Sequence, residues 1–283
     1  MSGKQLVAIV TGANKGIGKG IVERLAAKFD GSYLAQSTGA SSLLIYLTAR
    51  DESRGLAALS SLRASAASSV SIEFAQLDID SKQSIDALAE SMKSRHGQID
   101  VLINNAAIAS KGPNFDEHVV ETTLKTNYYA TKEMCLAFLP LLNREHGRLI
   151  NVSSTGGVLT RLSSPALASQ FRSALTIPAV DTLMQQFRDD VRSNTWKEKG
   201  WYASGYAVSK MGVTALTRAL ANENKDKGLL INAVCPGWVK TDMAGDKAPK
   251  TVEQGAVTPV MLALDDIKGK TGTFWNDSGE YNW

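Results

Sequence analysis

Seven short runs of aliphatic, aromatic and β-branched residues recur along the chain: Leu6–Val10, Leu43–Leu47, Ser71–Ala75, Val101–Ile103, Arg148–Val152, Leu230–Val234 and Thr273–Trp275. Between successive runs lie stretches of helical periodicity, near Ile17–Phe29, Arg54–Ala66, Ser81–Arg95, Asp116–Leu142, Ser204–Asn224 and Val252–Leu264. Strands joined by such long connections lie parallel, because a hairpin needs only a few residues whereas a parallel neighbour needs a crossover of about a dozen or more. A run as wholly apolar as Leu-Val-Ala-Ile-Val at 6–10 is covered on both faces. The fold class is therefore α/β, a doubly wound sheet of seven parallel strands with helices on both faces.

Two stretches break the rhythm. Residues 30–42 are small and polar and read as an enlarged, mobile, solvent-facing loop between the first helix and the second strand. Residues 155–201 carry Val180, Leu183, Met184, Phe187 and Val191 at helical spacing behind Pro178, so this insertion is expected to fold and to border the cleft. With no internal repeat or low-complexity linker, and with 43% apolar residues to fill a core, the chain is expected to be one domain over 1–283. A net charge of +3 with scattered lysines and arginines gives no nucleic-acid surface, and no apolar run of 18 residues spans a bilayer. No basic-then-apolar signal precedes the first strand, so a cytoplasmic location is expected. Cys135 and Cys235 are too few for a disulfide scaffold or a zinc site and are expected in the core. His96, His118 and His146 lie beside polar residues near element ends and are expected at the surface, with no metal.

The first strand runs into Thr11-Gly-Ala-Asn-Lys-Gly-Ile-Gly18, after which a helix opens. Gly12 permits a tight turn, Gly16 lets backbone approach a pyrophosphate, and Gly18 allows close helix packing while the helix amides face the anion. Gly12, Asn14, Lys15, Gly16, Ile17 and Gly18 are thus candidates to hold a dinucleotide in a Rossmann-type fold. The end of the second strand selects which one: a carboxylate there binds ribose hydroxyls, whereas an arginine accommodates a 2′-phosphate. This strand ends in Thr48-Ala49-Arg50, with Arg54 one helical turn on. Together with Lys15 these cations are expected to surround a phosphate dianion, so the cofactor is expected to be NADPH/NADP.

Tyr206 and Lys210, in Gly205-Tyr-Ala-Val-Ser-Lys210, stand four apart on one face of a helix. Reduction of a carbonyl puts hydride on carbon and charge on oxygen, so the site needs a proton donor and a group that tunes it. Lowering a phenol from about 10 to near neutrality takes about 4 kcal/mol of extra stabilisation for the phenolate. Lys210 and the positive ring of the oxidised cofactor are expected to supply it. Trp238 and Met243 follow the sixth strand, at the carboxyl end of the sheet where open α/β folds bind ligands, and are candidates to line the substrate side.

The chain resembles the short-chain dehydrogenase/reductases, within them the monomeric NADPH-dependent carbonyl reductases, over nearly its whole length. The resemblance rests on Thr11–Gly18, Leu77-Asp-Ile-Asp80, Asn104-Asn-Ala106, Lys125-Thr-Asn127, Asn151-Val-Ser-Ser154, Tyr206–Lys210 and Cys235-Pro-Gly-Trp-Val-Lys-Thr-Asp-Met-Ala-Gly245. It implies a catalytic tetrad of Asn127, Ser154, Tyr206 and Lys210, with Ser154 orienting the carbonyl and Asn127 holding a water that links Lys210 to solvent. It implies that Asp78 and Ile79 flank the adenine, that Asn105 and Ala106 line the cofactor, and that Val239 and Thr241 touch the nicotinamide end. Ser153 competes with Ser154 by position alone, since alternate strand residues face opposite ways; the family pattern favours Ser154. The family's Asn-Asn-Ala-Gly reads Asn-Asn-Ala-Ala107 here, and the 30–42 segment is longer than the family implies. Ser110 and Val119 depart from the mammalian carbonyl reductases, so glutathione-bearing substrates are not expected. The implied activity is reduction of a ketone, aldehyde or quinone by a monomer. An alcohol dehydrogenase dedicated to one secondary metabolite, and an NADPH sensor without turnover, remain alternatives.

Overall fold

The computed structural model describes residues 3–63, 66–110 and 115–283. Eight strands form one sheet: β1 (Lys4–Val10), β2 (Ala40–Ala49), β3 (Val70–Gln76), β4 (Val101–Asn104), β5 (Arg148–Val152), β6 (Leu230–Val234), β7 (Phe274–Asn276) and β8 (Gly279–Glu280). Their order is β3-β2-β1-β4-β5-β6-β7-β8; the first seven run parallel, and β8 adds antiparallel to β7. All seven expected strands are present, and β8, only two residues long, is an addition that no alternating pattern announced.

The helices are α1 (Gly16–Lys28), α2 (Tyr33–Thr38), α3 (Glu52–Arg63), α4 (Lys82–His96), α5 (Glu117–Leu124), α6 (Thr131–Phe138), α7 (Pro165–Ser173), α8 (Ile177–Arg192), α9 (Gly205–Glu223), α10 (Val252–Gly255) and α11 (Val257–Leu264). The far end of the helix expected over Arg54–Ala66 reaches residues 64 and 65, which lie outside the described residues. Side chains of β1 alternate between two cores: Leu6, Ala8 and Val10 pack with α1 and α11, and Val7 and Ile9 with the cluster that holds α8 and α9. That two-sided burial is why the strand reads as an unbroken apolar run.

Three expectations need correction. The 30–42 stretch is not an open loop. Ser32 accepts the Ala35 amide as an N-cap, Leu34 and Ala35 are buried, and Gly39 closes α2 in the left-handed region at φ 66°, after which β2 already begins at Ala40. The helix expected over Asp116–Leu142 is divided: a π-helical turn, Lys125–Ala130, separates α5 from α6 and carries Asn127. Gly255 likewise ends α10 where its backbone meets Val239, dividing the segment expected at Val252–Leu264; a Cβ there would lie 2.6 Å from Val239 Cγ2.

The 155–201 insertion contains α7 and α8, and Val180, Leu183, Met184, Phe187 and Val191 form the buried stripe of α8. Gly212 lets α8 approach α9 closely, for a Cβ there would lie 2.5 Å from Met184 Sδ. Asp181 of α8 accepts from Tyr128 Oη at 2.8 Å and from Lys132 Nζ at 2.9 Å, which bolts the insertion to the π turn and α6. No helix among the described residues is long and apolar enough to cross a membrane.

Leu34 is 1% exposed, so Leu34→Ala is expected to lower stability by about 3 kcal/mol. A urea titration checks this; a midpoint shift with unchanged slope is the expected result, and a shift below about 0.5 kcal/mol would mean that 30–42 does not pack.

Candidate active site

The strand order reverses between β1 and β4, so their carboxyl ends diverge into a crevice. Thr11 Oγ1 accepts the amides of Asn105 and Ala106 at 2.9 and 3.0 Å, and Asn105 Nδ2 donates to the carbonyls of Thr11 and Gly12. Asn105 therefore uses its carboxamide N–H groups to hold the glycine turn. Gly12 and Gly16 adopt φ of 62° and 53°, and a Cβ on Gly18 would sit 2.4 Å from the Gly12 carbonyl oxygen. Each glycine is thus required by backbone conformation or by contact.

The helix that follows is uncapped. Side chains cap α2, α4, α5, α7, α8, α9 and α10, whereas Lys15 at the N-cap of α1 supplies no side-chain acceptor. The first-turn amides of α1, around Gly16, Ile17 and Gly18, are free to meet an anion, which is what a pyrophosphate requires. Beside them Asn14, Lys15, Lys19, Arg54, Ser61 and Asp242 line a cavity of about 580 Å³. Lys19 was not singled out in the sequence, although it stands four residues after Lys15 on the same helix, a spacing that marks a shared face. Asp242 pairs with Lys15 at 2.5 Å across 227 positions, a contact with no local signal. Arg50 does not join this group. It lines a second cavity with Gln76, Asp78 and Ser84, while Lys15, Lys19 and Arg54 share the first. Arg50 still belongs to the strand end, where α3 carries Arg54 toward α1 one turn later. Ile79 is half-buried against the core beside Asp78.

At the end of β5 the two serines separate as strand geometry demands. Ser153 is buried, donates to the Lys210 carbonyl at 3.0 Å and bonds Thr214, so it is committed to the helix. Ser154 accepts the Gly156 amide at 3.0 Å, and its hydroxyl stands beside the Tyr206 phenol. Lys210 is buried, donates to the Val152 carbonyl at 2.7 Å, and stands 5.8 Å from the Tyr206 ring centroid. Burial pulls its pKa down to about 8. Burial also holds the Tyr206 phenol above its ordinary range, with the Ser154 hydrogen bond pulling the other way and nearby Cys235 adding a smaller upward push. The expected near-neutral phenol is therefore not produced by the protein's own groups.

Asn127 is buried in the π turn, donates to Ile108 O and Ser209 Oγ, and accepts the Ile108 amide. Both its N–H hydrogens are spent on tying the segment after β4 to α9. A π turn supplies the widened spacing that such a reach needs. Val239 is buried against Gly255, and Thr241 Cγ2 lies 3.2 Å from where a Cβ on Gly16 would stand, which places this segment against the glycine turn. Between them and Lys250 the chain forms a flap, pinched where Lys240 N donates to Lys250 O and Lys250 N to Trp238 O. Trp238 and Met243 are 56% and 45% exposed at this flap, so Trp238 is not a packing anchor. Of the histidines, His118 is exposed, but His96 bonds Tyr46 at 2.8 Å and His146 bonds Asp100 at 2.7 Å, a correction to their expected surface placement.

The short chain dehydrogenase family profile matches residues 6–169 and 190–251. Rat carbonyl reductase (NADPH) 3 is 44% identical over 93% of this chain and 92% of its own length. Human carbonyl reductase (NADPH) 1 is 42% identical over 98% of each chain. Salutaridine reductase of Papaver somniferum superimposes with a TM-score of 0.80 at 29% identity, covering 96% of this chain and 99% of that one.

The native pKa of Lys210 lies below its unfolded value, so folding releases protons between about pH 8 and 10.5 and the cost of burying the ammonium is relieved as pH rises through that window. Urea unfolding at pH 7 and pH 10 is expected to show Lys210→Met gaining stability relative to the parent at pH 7 and losing that advantage at pH 10. An advantage independent of pH would show that the ammonium is not desolvated.

Proposed function

The chain belongs to the short chain dehydrogenase family, and from that premise we propose that it is an NADPH-dependent carbonyl reductase, reducing a ketone, aldehyde or quinone to the alcohol or hydroquinone. The observation that carries this reading is the meeting of the Tyr206 phenol, 5.8 Å by its ring from the buried Lys210 ammonium, with the Ser154 hydroxyl, beside an uncapped helix N-terminus. The uncapped turn with Gly12, Asn14, Gly16, Ile17 and Gly18 would take the pyrophosphate, and Lys15, Lys19 and Arg54 the 2′-phosphate. Arg50, Asp78 and Ile79 would stand on the adenine side, and Ala106, Val239 and Thr241 toward the nicotinamide, with Asn105 fixing the turn beneath them. Bound NADPH supplies the hydride.

The protein's own groups then handle the oxygen. Ser154 Oγ donates to the substrate carbonyl and fixes its direction, and Tyr206 Oη delivers its proton as charge develops there. With a pKa of about 8, Lys210 is mostly protonated at neutral pH, so its charge favours the phenolate that Tyr206 leaves behind. Asn127 keeps Ile108 and Ser209 in register around the pair. Trp238 and Met243, on the exposed flap, would meet the apolar part of the substrate.

We propose in addition that residues 1–283 act as one domain, monomeric and cytoplasmic. Support comes from α8, which packs over α5 and α9, and from two cysteines that are both buried and unpaired. Light scattering is expected to give the mass of one chain, and a stable tetramer would overturn the monomer.

Following NADPH absorbance across a panel of carbonyl compounds tests the main reading. Tyr206→Phe is expected to lose about 10²- to 10⁴-fold in kcat while binding NADPH as before, and full retained activity would remove Tyr206 as the donor. Lys15→Ala with Arg54→Ala is expected to weaken NADPH about 10- to 100-fold with little effect on NADH, and Arg50→Ala to do less. Reductive kcat/KM is expected to fall as pH rises through about 8, where Lys210 loses its charge; a flat profile to pH 9.5 would contradict that role.

A further inference from the structure

Beyond β8, the indole of Trp283 folds back to the turn that carries Ser154, and its Nε1 donates to the Gly157 carbonyl at 2.8 Å. Gly157 is buried and pressed on the helix of the proposed tuner: a Cβ on it would lie 2.7 Å from the Met211 amide nitrogen and 2.9 Å from Lys210 Cβ. The Gly157 amide donates to Ser154 O at 2.9 Å, and the Gly156 amide to Ser154 Oγ at 3.0 Å. Any drift of Gly157 away from α9 therefore moves the serine hydroxyl with it. A buried main-chain carbonyl at the end of a 3-10 turn, Thr155–Gly157, needs a donor, and the Trp283 N–H is that donor.

The indole is itself held from the insertion side. Its ring lies edge-on to Phe171 at 6.1 Å, Phe171 meets Trp201 at 6.0 Å, and Trp201 meets Phe187 of α8 at 4.9 Å. Asp190 accepts from Trp201 Nε1 at 2.8 Å, and the Arg218 guanidinium covers the Trp283 ring at 5.4 Å. Packing alone would be satisfied by any aromatic ring; only an N–H directed at Gly157 does more.

We infer that Trp283 is a positioning residue for the reaction proposed above, its indole N–H clamping Gly157 against α9 and so fixing the Ser154 hydroxyl relative to Tyr206. This rests on the reductase reading. The clamp acts on placement of the carbonyl and its proton donor, and leaves the cofactor cradle around Gly12–Gly18 untouched.

The test places 3-benzothienylalanine at position 283 of the full chain, which keeps the shape of the indole and replaces its N–H by sulfur. The expected result is a fall in kcat of about tenfold, with the Kd for NADPH within about twofold of the parent. In the alcohol-oxidising direction, where Tyr206 must be deprotonated, the rise of activity with pH is expected to move to higher pH, because a displaced Ser154 no longer supports the phenolate. The other titratable groups facing Tyr206, Lys210 and Cys235, are unchanged in this variant. Trp283→Phe is expected to act in the same direction. Arg218→Gln, which removes the cation over the ring and leaves the N–H in place, is expected to lower Tm without changing kcat. An unaltered kcat and pH profile in the benzothienyl variant would overturn the clamp, as would a parallel loss of kcat, NADPH affinity and Tm. If the parent enzyme oxidises NADPH with no carbonyl compound, the reductase reading fails instead, and the two failures are distinct.

Discussion

A primary ammonium removed from water dictates how the rest of this site is built. Lys210 has 3% of its surface exposed, and its charge is compensated by the Val152 carbonyl rather than by a carboxylate. Holding it there requires α9 to lie across the end of β5 with little freedom, and a polar seam enforces that. Asn151 donates to Thr217, Val152 accepts from Lys210, Ser153 bonds the Lys210 carbonyl and Thr214, and Ser154 meets Tyr206. Four successive residues, the last two of β5 and the two just beyond it, thus engage α9 between positions 206 and 217. The last step brings the serine hydroxyl to the phenol, so the geometry of the reacting groups is the end of a structural seam and not a separate arrangement.

The second half of the site depends on the opposite device, the removal of side chains. At the divergence of β1 and β4 the backbone itself approaches what is bound, and Gly12, Gly16 and Gly18 leave no Cβ in the way. Thr11 and Asn105 then supply the hydrogen bonds that a side-chain-free turn lacks, joining the two strands across the crevice. Rigidity comes from the neighbours, and openness from the glycines. The uncapped first turn of α1 is the consequence: its amides are held in place and left unspent.

Much of this was legible in the sequence because it is local. Strand runs, the glycine turn and the Tyr206–Lys210 spacing are set by periodicities of two and 3.6 residues and by the conformational needs of glycine. The features that escaped are those in which contact across the fold overrides local composition. The small polar stretch after Asp30 looks like a loop, yet Leu34 and Ala35 suffice to dock it once Ser32 and Gly39 cap the turn. Asn127 looks like one more helical residue, and only the distance to Ile108 and Ser209 calls for a π turn there. Arg50 and Arg54 read alike, but one helical turn sends them to different cavities. The pKa of Tyr206 was the least accessible quantity, because it balances burial against one hydrogen bond and neither is written in the spacing.

The buried polar residues that take no part in the chemistry sort by position along the strands. At the amino end of the sheet, Asp100 accepts the Val7 amide and bonds His146, while Arg148 donates to the carbonyls of Leu262 and Asp265 where α11 ends. These groups close the floor: a cation at a helix C-terminus and a carboxylate satisfied by a main-chain amide stabilise without leaving anything reactive. At the carboxyl end, the corresponding polar groups are satisfied only in part by the protein, leaving first-turn amides of α1 without a side-chain cap and a serine hydroxyl beside a phenol. Parallel strands make this asymmetry possible, since all seven deliver their carboxyl ends to the same side. The fold therefore separates the residues that keep it closed from those that must remain able to exchange partners.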